Sequence, residues 1–349
     1  NLGSAYHALG EYERAIVFHH QSIDIARVIG HRLGEANALG SLGNAYYSLG
    51  EVARAIDFYQ QNLNIVREIG YRLGEAISLD NLGSTYYLLG DYERAINFYH
   101  QALAIAREIG NRLGGGNSLH NLGVVAWHSD NLSEAAQYFE AAALAKEDLH
   151  TTDLADANRL SLLDSQQVTY RLWQMILVAQ GQPEAALTVA ERGRAQALSV
   201  SMSRALASAE DETWTRPNSP NLEQIQAIAA QQQATLVEYA VLPSGRILIW
   251  VVKPDGTIHS TESDAEALDD SLEDTTALFK YLGQNSRGGP PPETPLSELV
   301  QDTQTALTTV RGSSSDAPSQ LSRQQLAGNL QRLHQVLIAP VEKWLPTDE

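Results

Sequence analysis

Forty residues separate Asn1-Leu2-Gly3, Ser41-Leu42-Gly43, Asn81-Leu82-Gly83 and Asn121-Leu122-Gly123. The same step relates Gly10, Gly50 and Gly90, then Ala15, Ala55, Ala95 and Ala135. It also relates Arg32-Leu33-Gly34, Arg72-Leu73-Gly74 and Arg112-Leu113-Gly114. A period of this length, kept in register, restricts residues 1 to about 150 to a solenoid. One unit cannot bury its apolar face alone, so neighbours must stack to do it.

Each unit reads as two helices. In the third they are predicted over Gly74–Leu89 and Asp91–Ile109. Tyr92, Ala95, Ile96, Tyr99, Ala102, Leu103, Ala106 and Ile109 recur at three- and four-residue steps, which makes one apolar stripe. Gly90 and Gly110 follow the helices, where a left-handed residue ends a helix at least cost. Asp91 is a natural N-cap. Gly83 and Ala95 are small where paired helices must approach closely.

Leu82-Gly83, Tyr86, Gly90, Ala95, Phe98/Tyr99 and Ala102 resemble the tetratricopeptide repeat pattern. The resemblance implies an all-α superhelical solenoid. Its hairpins would fall at about 1-30, 31-70, 71-110 and 111-150, with a degenerate fifth at 153-205. A period of forty rather than about 34 implies longer helices, similar to the repeats that bind peptides in cell-polarity scaffolds. The family's terminal Pro is replaced by Ile-Gly-x-Arg-Leu-Gly at 29-34, 69-74 and 109-114.

The resemblance also implies that the first helix of each pair lines a groove for a peptide or partner protein. That groove would present Asn37, Ser41, Asn44 and Tyr47, then Asp80, Asn81, Ser84 and Tyr87, then Asn117, His120, Asn121 and Trp127. Asn1, Ser4 and His7 would extend it. Asn is a poor interior helix residue, yet it recurs on this face, and its amide can donate to and accept from a peptide backbone. His7, Tyr47, Tyr87 and Trp127 form an aromatic ladder at one repeat position. The bland reading of the same residues is inter-helix bonding and ordinary packing. The groove lacks the Lys/Arg set that clamps a C-terminal carboxylate.

Past Ala155 the pattern fades into one long amphipathic helix over 157-180, and then a helix opening at Pro183. Residues 206-221, with Arg216-Pro217-Asn218-Ser219-Pro220, read as a linker into a second domain over 222-349. There a helix (222-233) precedes strands at 235-242, 246-253 and 257-260, and further helices are predicted around 264-282, 296-310 and 321-345. The Glu191–Leu198 helix, the strand pair and Leu333–Pro340 together resemble the opening of a CHAT domain, the caspase-like domain attached to tetratricopeptide repeats in bacteria. The resemblance implies an incomplete caspase-like α/β part at the C-terminal end. The family's catalytic His and Cys lie beyond the segments matched. The alternative function it implies is the regulatory half of a CHAT-type cysteine protease.

The remaining signals exclude more than they assign. A net charge of −18 argues against nucleic acid as a partner, because phosphate neutralisation needs a cationic surplus. With no Cys there is no disulfide, thiolate metal site or thiol nucleophile. This suits the cytoplasm. The start inside a repeat reads as the interior of a longer array, with room for a signal peptide upstream. The longest strongly apolar run, Ile247–Val252, is too short for a membrane span. His19-His20 and the pair His120 and His128 lack metal-ligand spacing. His259 and His334 have no thiol to activate. Gly114-Gly115-Gly116 lacks the strand and Lys-Ser/Thr of a phosphate loop, so it reads as a weak helix start. No cofactor, metal or catalytic activity is expected of this chain. Self-association through open solenoid ends or the incomplete sheet is a further expectation.

Overall fold

A computed structural model describes residues 2–147, 149, 156–207, 219–242, 246–264 and 334–345. They form two compact units, Asn1–Asp153 and Leu154–Glu349. The sequence reading placed the division at 206-221, of which 208–218 lie outside the described residues. Helices predicted around 264-282 and 296-310 lie outside them too. Among the described residues no helix is long and apolar enough to cross a membrane.

The first unit is a succession of antiparallel helices: α1 Leu2–Ala8, α2 Tyr12–Val28, α3 Arg32–Ser48, α4 Val52–Glu68, α5 Arg72–Leu88, α6 Tyr92–Glu108, α7 Arg112–His128 and α8 Leu132–Glu147. The period follows from their lengths. Helices α3 to α7 have 17 residues each. Two helices and two three-residue turns make forty.

Each turn is built the same way. Gly50 and Gly70 take φ of 76° and 69°, and Tyr71 N–H reaches back to Val66 O at 2.8 Å while Gly70 N–H reaches Arg67 O. This left-handed cap satisfies the last carbonyls of α4 and aims the chain into α5. In the fourth repeat the equivalent residue is Asp130, at φ 57°. Asp91 caps α6 as expected, accepting from Arg94 N–H at 3.1 Å.

The core of this unit runs along it without a break. Leu39, Leu42, Tyr46, Ala55, Tyr59 and Leu63 are followed by Leu79, Leu82, Tyr86, Ala95, Tyr99 and Leu103. The Leu-Gly pair has a steric reason. A Cβ on Gly43 would lie 2.5 Å from the Tyr59 ring, and one on Gly83 would lie 2.7 Å from that of Tyr99. Beside this contact Tyr46 stacks on Phe58 at 5.3 Å and Tyr86 on Phe98 at 5.4 Å. Arg54 and Arg94 cover the two tyrosines.

The second unit contains α9 Asp156–Ala179, α10 Pro183–Ala207, α11 Leu222–Gln232 and the strands β1 Leu236–Val241, β2 Arg246–Val252 and β3 Ile258–Asp264. The sheet is antiparallel in the order β1-β2-β3, with Val237 opposite Val251 and Trp250 opposite Ser260. The unbroken apolar run of β2 is explained by cover on both faces. Ile247, Ile249 and Val251 meet Leu337, Val341 and Trp344. On the other face Trp250 Nε1 donates to Pro183 O at 2.8 Å. Strand β3 is longer than predicted. The expected helix at 321-345 is, over its described part, a π-helical turn His334–Ile338 and a 3-10 turn Glu342–Trp344. Side chains from these turns pack on the sheet.

Candidate peptide-binding face

On α3, α5 and α7 residues short of full burial fall at equivalent positions: 37, 40, 41, 44 and 47, and their partners one and two repeats on. This is one stripe along each helix, and α5 and α7 lie side by side. The expected groove residues occupy it. Asn37 is exposed, and Ser41, Asn44, Tyr47, Asp80, Asn81, Ser84, Tyr87, Asn117, His120, Asn121 and Trp127 are half-buried.

Their polar groups divide into those already used by the fold and those left over. Asn44 Oδ1 accepts from the buried Tyr59 hydroxyl at 2.8 Å, and Ser84 Oγ accepts from Tyr99 at 3.1 Å. In the fourth repeat the ring is Phe139, which has no hydroxyl, and the stripe residue is Val124. The polarity at this position therefore follows the partner ring. Ser41 and Ser84 also donate back to their own helix, at Asn37 O and Asp80 O. By contrast the side-chain amides of Asn37, Asn81, Asn117 and Asn121 make no hydrogen bond among the described residues.

Asp80 takes both of its contacts from Ser118 Oγ, at 2.8 and 3.1 Å. Burial pushes this carboxyl up to about 7, with the Ser118 hydrogen bond pulling the other way. His120 occupies the same repeat position and lies edge-on to Phe139 at 5.6 Å. Burial, and then the charge of Lys146, bring it down to about 3. Lys146 is 1% exposed, and burial lowers it to about 7.

The aromatic ladder is partly committed to packing. Tyr87 stacks on Tyr92 at 5.8 Å and meets His128 edge-on at 5.5 Å, while Trp127 lies 4.7 Å from the same imidazole. His7 Nε2 and Ser48 Oγ are 3.4 Å apart. The rings thus bridge one first helix to the next, and burial raises the hydroxyls of Tyr47 and Tyr87. Sequence reasoning missed His128 and Val124 on this face and the buried Ser118 beneath it. A forty-one-residue step from Tyr87 to His128, and the exchange of Tyr for Phe at 139, were the available signals.

Three further histidines, His19, His20 and His259, have packing roles. His19 takes the place of Tyr59 and Tyr99 beneath Gly3. His20 is edge-on to Phe58, and His259 stacks on Trp344 at 4.9 Å. Among the described residues no group of three His, Asp or Glu side chains is placed to hold a metal ion.

Three overlapping stretches, residues 1–68, 41–108 and 74–146, match a family model described as tetratricopeptide repeat, and 175–192 match a second of the same description. The chain is 34% identical over 134 residues to mouse tetratricopeptide repeat protein 28, covering 38% of this chain and 5% of that protein. It is 54% identical over 41 residues to mouse G-protein-signaling modulator 1, covering 12% and 6%. The chain thus spans about a twentieth of the length of these relatives. Among solved structures, aspartyl phosphate phosphatase F from Bacillus subtilis shares the fold at a TM-score of 0.50 and 15% identity, over 99% of this chain and 71% of that one. With helix pairs of constant length, a Leu-Gly seat under each buried ring and these matches, residues 1–146 are an array of tetratricopeptide repeats.

Proposed function

We propose that this chain is a protein-interaction scaffold whose first-helix face holds an extended peptide or a segment of a partner protein. The observation that carries the reading is the pair Asn81 and Asn121. They sit at one repeat position on adjacent helices, and their amides have no partner among the described residues. Packed helices lie about 8–10 Å apart, close to three residues of extended chain at roughly 3.3 Å each. Two such amides can therefore meet every third peptide unit along the groove. Asn37 and Asn117 add donors and acceptors on its rim, and Tyr47, Tyr87 and Trp127 add apolar area.

The test is selection of peptides from a displayed random library against the full chain, followed by affinity measurement on Asn81→Ala, Asn121→Ala and the double variant. Loss of both amides should weaken selected peptides by about 1–3 kcal/mol with helicity unchanged. Peptides that bind the double variant as well as the parent would reject the groove as the site. Asn44 is left out of this test because Tyr59 depends on it.

For the second unit the CHAT-like, caspase-like reading is likewise our proposal. It is supported by the way two stretches of the resemblance join: Arg194 donates to Glu238 and to Tyr239 O of β1. An experimental structure of this unit that places further parallel strands beside the sheet would support it, and a closed antiparallel sheet would reject it. The reading as half of a cysteine protease has no observation among the described residues in its favour.

A further inference from the structure

Asp80 is the only Asp, Glu, Lys or Arg on the first-helix stripe; its counterparts one repeat either way are Gly40 and His120. Its side chain reaches from α5 to the fully buried Ser118 of α7. Both of its contacts come from that one hydroxyl, which also lies 3.2 Å from Gly114 O. A hydroxyl has a single proton to give, whereas a carboxylate has room for about four donors. Nothing else among the described residues donates to the Asp80 carboxylate, so most of its acceptor capacity is unused.

The fold has a neutral answer to the same need. One repeat earlier the buried hydroxyl is Ser78, and its acceptor is Asn62 of α4, whose amide also donates to Ala36 O at 2.5 Å. At the place of Asn62 α6 has Ala102, and Asp80 stands where α3 has Gly40. An amide at position 80 would accept from Ser118 equally well. The charge is therefore surplus to that bond, and it is costly, since burial pushes the carboxyl up to about 7. Such misfits between a group and its surroundings concentrate at binding sites.

Helix α5 differs from its neighbours in a second respect. Ile77 and Leu88 fall on the same stripe, at steps of three and four from Asp80, Asn81 and Ser84. They are 49% and 52% exposed. Their counterparts are Asn37 and Asn117, and Ser48 and His128. This helix alone offers apolar side chains at both ends of its stripe, with a carboxylate between them.

We propose that the partner segment held on this face carries a Lys or Arg that pairs with Asp80, with apolar side chains beside it that cover Ile77 and Leu88. The proposal rests on the groove reading and names its ligand class. The cation donates to the oxygens that Ser118 leaves unmet, and poor solvation strengthens the pair. The surroundings supply no rival charge. Burial keeps the hydroxyls of Tyr99, Tyr47 and Tyr87 protonated, and it brings His120 down to about 3. The cation of Lys146 acts on His120 and not on Asp80. The net charge of −18 favours the approach of a basic segment over an acidic one.

The experiment selects displayed random peptides on the full chain and, in parallel, on Asp80→Asn, which keeps an acceptor for Ser118. Peptides enriched on the parent should carry a Lys or Arg with apolar neighbours, and that residue should vanish from the Asp80→Asn pool. A selected peptide is then synthesised with citrulline in place of its Arg, or norleucine in place of its Lys. The parent should bind the basic form about tenfold more tightly than the neutral one, as expected for a hydrogen-bonded charge. Asp80→Asn should bind both forms alike, with its fold checked by circular dichroism. The comparison of the two peptides on the parent needs no protein variant. Peptides that depend on Asn81 and Asn121 but carry no basic residue, or basic peptides bound equally well by Asp80→Asn, would overturn this proposal and leave the groove reading in place. A parent pool without enrichment would overturn both.

Discussion

Tyr59 and Asn44, Tyr99 and Ser84, and Phe139 and Val124 are three solutions to one problem, the hydroxyl of a ring seated under a Leu-Gly step. A buried hydroxyl without a partner costs about 1–3 kcal/mol, whereas replacing both partners by apolar groups is close to neutral. Tyr59→Phe and Asn44→Val should therefore each lose about 1 kcal/mol in urea unfolding, and the double variant should recover much of it. Additive losses would reject the coupling. Asp80 yields a pH test. Its unfolded value is about 3.9, and burial raises it to about 7 in the fold. Between those values the folded chain holds a proton that the unfolded chain has released. Stability should fall as pH rises from about 4 to about 7 and level off above. Asp80→Asn keeps an acceptor for Ser118 and should flatten that slope, gaining on the order of 1–2 kcal/mol at pH 8. An unchanged slope would remove Asp80 from the account. At this level the recurrence of Asn on the first helices is legible in the chain, but its separate uses are not: Asn44 is bound by the Tyr59 hydroxyl, a contact that only packing reveals.

Helices and turns were read from the chain with small shifts. The predicted Asp91–Ile109 is α6 Tyr92–Glu108, and Ala157–Gln180 is α9 Asp156–Ala179. Caps, apolar spacing and glycines act within one turn of the backbone, so their information is local. The glycine run was harder to read, since its three members have three different surroundings. Gly83→Ala should cost about 2–3 kcal/mol, because the new methyl meets the Tyr99 ring at 2.7 Å. Gly115→Ala should instead stabilise by about 0.5–1 kcal/mol, through helix propensity without a clash. Thermal melts of the two variants should therefore move in opposite directions. Asp130→Gly should gain up to about 1 kcal/mol, since the left-handed turn it occupies favours glycine. The length of β3 and the π-helical turn at 334–338 were not legible. A strand that reads Ser260, Thr261, Glu262 and Ser263 has no apolar alternation to announce it, and only pairing with β2 defines it.

The chain as a whole divides between Asp153 and Leu154. A fragment ending at residue 153 should keep its far-UV helical signal and melt in one cooperative transition, because each repeat couples to its neighbours through a continuous core. A broad, non-cooperative melt would show that this unit depends on the remainder. Periodicity was sufficient to settle the solenoid, its helix pairs and the register of its stripe. Those properties come from repeated local preferences and from the need of each amphipathic helix to find a like neighbour. The placement of the compact units and the fate of individual polar groups were settled by contacts between residues distant in sequence. Asn44 is bound by a ring fifteen positions on, and Trp250 by a carbonyl sixty-seven positions back. Such pairings are matters of distance in the packed chain, and no single stretch of it contains both partners.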